Sequence, residues 1–260
     1  MTYNTIKYEV SAEHVALVTI NRPESLNAFT QEMCEEFVHV WAEINADDNV
    51  HSVVLSAAPG RAFSTGADVK ENDALTVKNW YERDPGESLG PRSNRVWKPV
   101  ITAVNGICCG GAFYWLNESD IIICSEDAQF FDPHVSYGLV CAVEPIGLSY
   151  RLPLQDVLRM ALLGNDERLS AETAKRIGLV SEVLPPEDLL ARAYDLAASI
   201  AAKPPAAVQG SVRAIWESLD VPRSTAMTLG LRHCKIGNQV AATQTDVAAQ
   251  RKQKKKYEVR

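Results

Sequence analysis

The chain lacks the signatures of most nucleotide and hydrolase sites. There is no G-x-G-x-x-G. Gly60 and Gly66 stand one residue too far apart for a P-loop, and Ala67 follows where that motif requires Lys. The absence of G-x-S-x-G argues against a serine hydrolase of the α/β type, and H-E-x-x-H is also missing. Six cysteines are present (Cys34, Cys108, Cys109, Cys124, Cys141 and Cys234), but none forms a C-x-x-C pair and no Cys/His spacing matches a zinc site. They read as small buried apolar residues, and no metal is expected. Basic charge is in deficit: 26 Lys and Arg against 33 Asp and Glu give a net charge of −7. That balance argues against nucleic acid or an anionic membrane as a partner. The chain opens without a basic segment leading into an apolar one, so a reducing, cytoplasmic setting is expected. Residues 99–117 carry no charge over 19 positions, but Asn105-Gly106 and Gly110-Gly111 interrupt them. A turn facing lipid is not viable, so the run is expected to be a buried strand, turn and helix.

What is present suits a soluble globule. Of 260 residues, 46% are apolar, enough for one large domain or a domain with a helical appendage. Short apolar runs at 6–10, 15–20, 53–55, 100–104, 121–124 and 128–131 read as strands. Met33, Phe37, Val40, Trp41 and Ile44 recur at spacings of 3 and 4 after Thr30, an N-capped amphipathic helix. Residues 70–96 are polar and read as a helix fragment with a mobile segment. Past Pro185-Pro186 the pattern is helical throughout, divided by Pro204-Pro205 and Pro222. The fold class is α/β, with residues 1–185 as an α/β core and 186–260 as an all-helical C-terminal subdomain.

Two glycine-bearing loops follow buried strands and lead into expected helix starts. They are Ser64-Thr65-Gly66-Ala67-Asp68 and the stretch from Asn105-Gly106 to Gly110-Gly111-Ala112. Helix starts present unpaired N–H groups. Two such starts facing each other can hold one oxygen between two donors, but glycines of this kind also serve tight turns, and spacing alone leaves both readings open.

Several spaced motifs occur in order. They are Asn21-Arg22-Pro23 with Asn27-Ala28; residues 62–71 around Ser64-Thr65-Gly66-Ala67-Asp68; Lys98-Pro99 through Asn105-Gly106 with Gly110-Gly111; Asp120-Ile121-Ile122; Ala128-Gln129-Phe130; and Leu169-Ser170-Ala171 with Gly178-Leu179-Val180. From about residue 5 onward the chain resembles the enoyl-CoA hydratase/isomerase (crotonase) superfamily. The resemblance implies a crotonase-like stacked ββα spiral whose helical C-terminal part builds a homotrimer, or a hexamer as a dimer of trimers. It implies an acyl-CoA thioester substrate and no cofactor beyond the coenzyme A carried by that substrate. The N–H groups of Ala67 and Gly111 would flank the thioester oxygen. Arg22, Thr65, Gly66, Ala67, Asp68 and Val69 would contact coenzyme A. The basic residues Arg251, Lys252, Lys254, Lys255 and Lys256 can reach its phosphates or remain a solvated tail.

The resemblance fails at the acid–base residues. Hydratases keep one glutamate three residues past the second oxyanion glycine, where this chain has Tyr114. They keep the other after the proline that follows the Gln-Phe strand, where His134 follows Pro133. The acid that other branches place eight residues further on corresponds to Ala142, with Glu144 two residues beyond. His134, Glu144 and Tyr114 are therefore the candidate catalytic residues, with Asp132 a further carboxylate in the same turn. A histidine is a competent single base near neutral pH, whereas a tyrosine of ordinary pKa near 10 is a poor one. An isomerase or an atypical hydratase/lyase is expected. The competing expectation is a catalytically weak CoA-ester-binding homologue.

Overall fold

The computed structural model describes residues 2–71, 79–81, 83–252 and 259. It is built on two sheets. β1 (Ile6–Val10) and β2 (Val15–Ile20) form an antiparallel hairpin. β2 then pairs in parallel with β3 (Ser52–Ala57), which pairs with β5 (Val100–Val104), β7 (Ile121–Ser125) and β10 (Glu182–Leu184) in that order. The second sheet holds β4 (Ala62–Ser64), β6 (Ile107–Cys109), β8 (Gln129–Phe131) and β9 (Leu169–Ser170). A long strand in the first sheet, a corner and a short strand in the second sheet recur as β3–β4, β5–β6 and β7–β8, the expected stacked spiral. β3 and β5 are buried at every position, as central parallel strands covered on both faces must be.

The first helix, α1 (Gln31–Ala46), starts where the sequence says it should: the Thr30 side chain accepts the Met33 N–H at 3.2 Å. Its apolar stripe Met33, Phe37, Val40, Trp41 and Ile44 is fully buried. Each such side chain contributes about 1.5–3 kcal/mol by leaving water. Trp41 also donates its indole N–H to Leu89 O, tying α1 to the 3-10 turn Pro85–Leu89. Residues 72–78 and 82, on which part of the expected mobile segment falls, lie outside the described residues.

After the turn Gly110–Ala112 comes α2 (Phe113–Glu118), then α3 (Val143–Leu148), α4 (Leu154–Leu163) and α5 (Ala171–Ile177). The apolar run after Gly178 becomes a strand only at Glu182–Leu184, because Gly178 (φ 91°) closes α5 and residues 179–180 are still part of that turn. β4 and β6 escaped the sequence reading, being three residues each. Beyond Pro185-Pro186, α6 (Leu189–Ala201) lays Leu189, Ala193, Ala197 and Ala201 on Val15, Val54, Ile101 and Ile123 of the main sheet. α7 (Pro205–Glu217) and α8 (Arg223–Ala241) then pack on each other, and α9 (Val247–Lys252) follows. None of the described helices is long and apolar enough to cross a membrane.

Candidate active site

Strand register assembles the site. β4 pairs with β6 as Ala62↔Ile107 and Ser64↔Cys108. β6 pairs with β8 as Cys108↔Phe130 and Cys109↔Phe131, all in parallel. Whatever follows these three strands must emerge side by side on one edge. Those segments are Thr65-Gly66-Ala67, Gly110-Gly111 and Asp132-Pro133-His134.

The two glycine loops do meet. A side-chain carbon on Gly66 would stand 2.8 Å from the Gly111 nitrogen and 3.2 Å from Cys109 O. Gly66 also sits at φ 83°, so glycine is required there by both conformation and space. The Phe29 N–H donates to Gly66 O at 2.8 Å and the Asp68 N–H donates to Phe29 O at 2.9 Å. In such a parallel bridge the residue between, Ala67, turns its own N–H to the opposite side. The Gly111 N–H lies in the opening of the 3-10 turn Gly110–Ala112, where no carbonyl of the turn can accept it. Two backbone donors at the contact of two loops can hold an oxyanion.

His134 opens the 3-10 turn His134–Tyr137, and its Cε1 lies 3.8 Å from the place of a side-chain carbon on Gly110. Its Nδ1 lies 2.5 Å from Asp132 Oδ1, and its Nε2 lies 3.9 Å from Glu144 Oε1. Glu144 stands in the first turn of α3 and is only 6% exposed. The hydrogen bond to Asp132 raises the His134 pKa; burial opposes it, and the charges of Asp132, Glu144 and Asp84 add to the rise. Burial raises Glu144 above the usual carboxylate range, although its own backbone N–H and the His134 charge pull the other way. Asp132 is pushed up by burial, but hydrogen bonds from the His134 ring and backbone, the His134 charge and the Cys141 thiol outweigh that and hold it low.

Tyr114, in α2, donates its phenol to Asp84 Oδ2 at 2.8 Å. Burial first, then the Asp84 and Glu144 charges, push its pKa far up, so the phenol stays neutral. Asp84 was missed by sequence reasoning. Its signal was the Asp84-Pro85-Gly86 turn, in which its carboxylate also caps the Gly86 N–H at 2.8 Å. Cys108 and Cys109 are buried just before the turn Gly110–Ala112, and burial pushes the Cys109 thiol up to about 12. Asp132, His134 and Cys141 bring their ligating atoms within 4.8 Å of one another. The direct contact between Asp132 and His134 leaves no space for an ion between those two atoms.

On the far side of the Gly66 loop, the Arg22 guanidinium donates to Ala28 O at 2.6 Å and to Asp68 at 3.1 Å. Val69 is 85% exposed. Arg251 and Lys252 are exposed on α9, while Lys254, Lys255 and Lys256 lie outside the described residues.

A family model described as enoyl-CoA hydratase/isomerase matches residues 11–256. The chain belongs to the enoyl-CoA hydratase/isomerase (crotonase) family. It is an enzyme of that family, which acts on acyl-CoA thioesters. It is 34% identical over 220 residues to the (E)-benzylidenesuccinyl-CoA hydratase of Thauera aromatica, covering 84% of each chain. To the mitochondrial Delta(3,5)-Delta(2,4)-dienoyl-CoA isomerase of Rattus norvegicus it is 34% identical over 231 residues, covering 80% of this chain and 68% of that one. A solved enoyl-CoA hydratase/isomerase from Mycobacterium paratuberculosis superposes with a TM-score of 0.85 at 40% identity, over 95% of this chain and 94% of that one. Within this hydratase/isomerase fold, the sequence motifs of the two glycine loops coincide with the loops that register brings together. Tyr114 and His134 stand where hydratases were expected to keep glutamates.

Proposed function

We propose that this chain shifts a carbon–carbon double bond in an enoyl-CoA thioester through an enolate. The observation that carries the reading is the approach of His134 Nε2 to Glu144 Oε1, 3.9 Å apart, beside the turn that bears Gly111. With the thioester oxygen between the Ala67 and Gly111 N–H groups, negative charge arising there is stabilised by donors that need not reorganise. Neutral His134 takes the α-proton of a 3-enoyl thioester through Nε2. The C–H electron pair moves into conjugation and the thioester oxygen becomes anionic. As the enolate collapses, the γ-carbon takes back that one proton, from the imidazolium directly or relayed from it through the Glu144 carboxylate, and the double bond ends conjugated with the thioester. Atoms and electrons balance without water or an oxidant.

Hydration is less well served. It needs one group to activate water and another to manage the α-proton. Tyr114 holds the first of the two expected glutamate positions, and its phenol is neutral and engaged by Asp84. The same cluster argues against a merely CoA-ester-binding homologue, since burying Glu144 beside His134 costs free energy that a binding role does not need. Coenzyme A arrives with the substrate, along Arg22, Thr65, Gly66, Ala67, Asp68 and Val69, and the steps use the chain's own groups. The free cysteines, four of them buried, fit a reducing cytoplasm. Exposed Ile146 on α3, Tyr150 in the turn after it, Leu154 and Leu158 on α4, and Met227 and Leu231 on α8 fit burial in a homotrimer or hexamer.

The test offers 3-enoyl-CoA, 2-enoyl-CoA and 3-hydroxyacyl-CoA esters in deuterated water. Appearance of the conjugated thioester absorbance, with deuterium entering the acyl chain, is expected from the 3-enoyl ester. Fast hydration of the 2-enoyl ester without isomerisation would overturn the reading.

A further inference from the structure

We infer that Asp132 is a positioning residue that fixes the tautomer and the aim of the His134 ring, so that Asp132, His134 and Glu144 act as one chain of groups. The inference rests on the reading of His134 as the proton carrier, but its first test, the tautomer of the ring, does not. Asp132 is 1% exposed, and its Oδ1 receives both the His134 backbone N–H, at 3.1 Å, and the ring Nδ1, at 2.5 Å. Pro133 lies between them at φ −85° and fixes the reach of this two-residue turn. An ionised carboxylate only accepts hydrogen bonds, so the neutral ring must carry its proton on Nδ1. That leaves the Nε2 lone pair free on the side facing Glu144. A base in the opposite tautomer would present a proton where it has to take one.

A structural reading of Asp132 is also available: the carboxylate caps the turn through the His134 backbone N–H alone. Two facts weigh against it as the whole account. A cap needs only an acceptor, and an amide serves. A buried charge is tolerated when a donor meets it, and here the ring Nδ1–H is that donor, becoming the cationic partner once Nε2 has taken a proton. The groups facing His134 come from three elements. They are Asp132 at the end of β8, Glu144 on α3, and Asp84 before the turn Pro85–Leu89, itself bound to Tyr114 of α2. The Cys141 thiol lies against the Asp132 carboxylate. Among these, Asp132 alone touches the ring at hydrogen-bond distance.

The first measurement is made on the native protein. Nitrogen-15 spectra of its histidine rings, with His134 assigned by the His134→Gln variant, should show His134 neutral at high pH with the proton on Nδ1. A ring protonated on Nε2 would overturn the inference. The second uses Asp132→Asn, which keeps volume and an acceptor for the backbone N–H. Isomerisation kcat should fall by about 10–100-fold with KM little changed, as for other groups that orient a functional imidazole. The acid limb of the rate profile should move to lower pH, and both tautomers should appear. A folded variant with unmoved tautomer and unmoved limb leaves Asp132 a cap and overturns the inference. If instead His134→Ala retains full turnover while the native tautomer is as stated, the proposed reaction fails and the positioning of the ring stands.

Discussion

The proposed oxyanion cradle and the proposed acid–base cluster lie beside the same sheet edge but are made of different material. The cradle is backbone: the N–H groups of Ala67 and Gly111, brought together because β4 and β6 pair in register and because Gly66 leaves room. The cluster is side chain: His134, Glu144, Asp132, Tyr114 and Asp84, contributed by separate turns and helices. A backbone site survives any change of side chain that respects its glycines. A side-chain site changes its chemistry with each substitution. Here the cradle matches its family while the expected glutamates are Tyr114 and His134. The family thus specifies how the thioester would be held, and the cluster decides which proton moves.

The sharpest way to test the cluster's half of this comparison is His134→Ala. Removing an acid–base group costs about 10²–10⁴-fold, and the loss should fall on kcat with KM little changed, because the group acts in the transition state. Its pH signature has a definite sign. The base must be neutral, and Asp132 raises its pKa first and foremost, with Glu144 and Asp84 adding to the rise against burial. Activity should therefore fall as pH drops through a value above the ordinary ~6.5 of histidine. A limb at or below that value would uncouple His134 from its carboxylates.

Gly66→Ala tests the other half. Its methyl would stand 2.8 Å from the Gly111 nitrogen, at φ 83°. The two loops must part or twist, so a donor is misaimed. Misplacing one oxyanion donor costs about 10²–10³-fold in kcat. Full turnover in a folded variant would mean that the loops meet for packing alone.

These two regions were unequally legible in the sequence. Glycines after buried strands marked the two loops, and the resemblance to the family named Ala67 and Gly111 within them as the candidate donors, because a backbone site leaves its mark in backbone residues. Thr30 as a cap and the stripe from Met33 to Ile44 were readable for the same reason: each signal is local. β4 and β6 were not readable at three residues each, and they supply the register that joins the loops. In the cluster, His134 and Glu144 could be marked singly from their offsets. Their mutual approach depends on how residues 135–143 turn back, and no periodicity reports that. Asp84 reaches Tyr114 across thirty residues of sequence, so only the three-dimensional arrangement shows it.

Glu144→Gln should be milder than His134→Ala. The amide keeps the size of the buried side chain and can still meet Nε2, while the charge next to His134 is lost. The expected drop is below the ~10²-fold floor of a removed acid–base group. Since the Glu144 charge also raises the His134 pKa, the acid limb should shift down as well. A dead Glu144→Gln beside an active His134→Ala would exchange the two roles and leave His134 as a wall of the pocket.

Tyr114→Phe should matter least, and for that reason it discriminates between reactions. Tyr114 occupies the first of the glutamate positions expected of a hydratase, so an enzyme that hydrates would draw on it to hold or activate water. Its phenol instead donates to Asp84 and is kept neutral by burial and by the Asp84 and Glu144 charges. Removing the hydroxyl deletes one hydrogen bond and leaves the ring against Phe29, whose centroid is 6.4 Å away edge to face. Asp84 is only partly buried, so water can replace the lost donor, and the cost to folding should be about 0.5–1.5 kcal/mol, read from urea unfolding. Isomerisation by the variant should stay within about tenfold of the native rate, because no proton in that sequence passes through the phenol. A loss beyond about 10²-fold would place Tyr114 among the groups that move protons. It would also bring hydration back as the reaction this site performs.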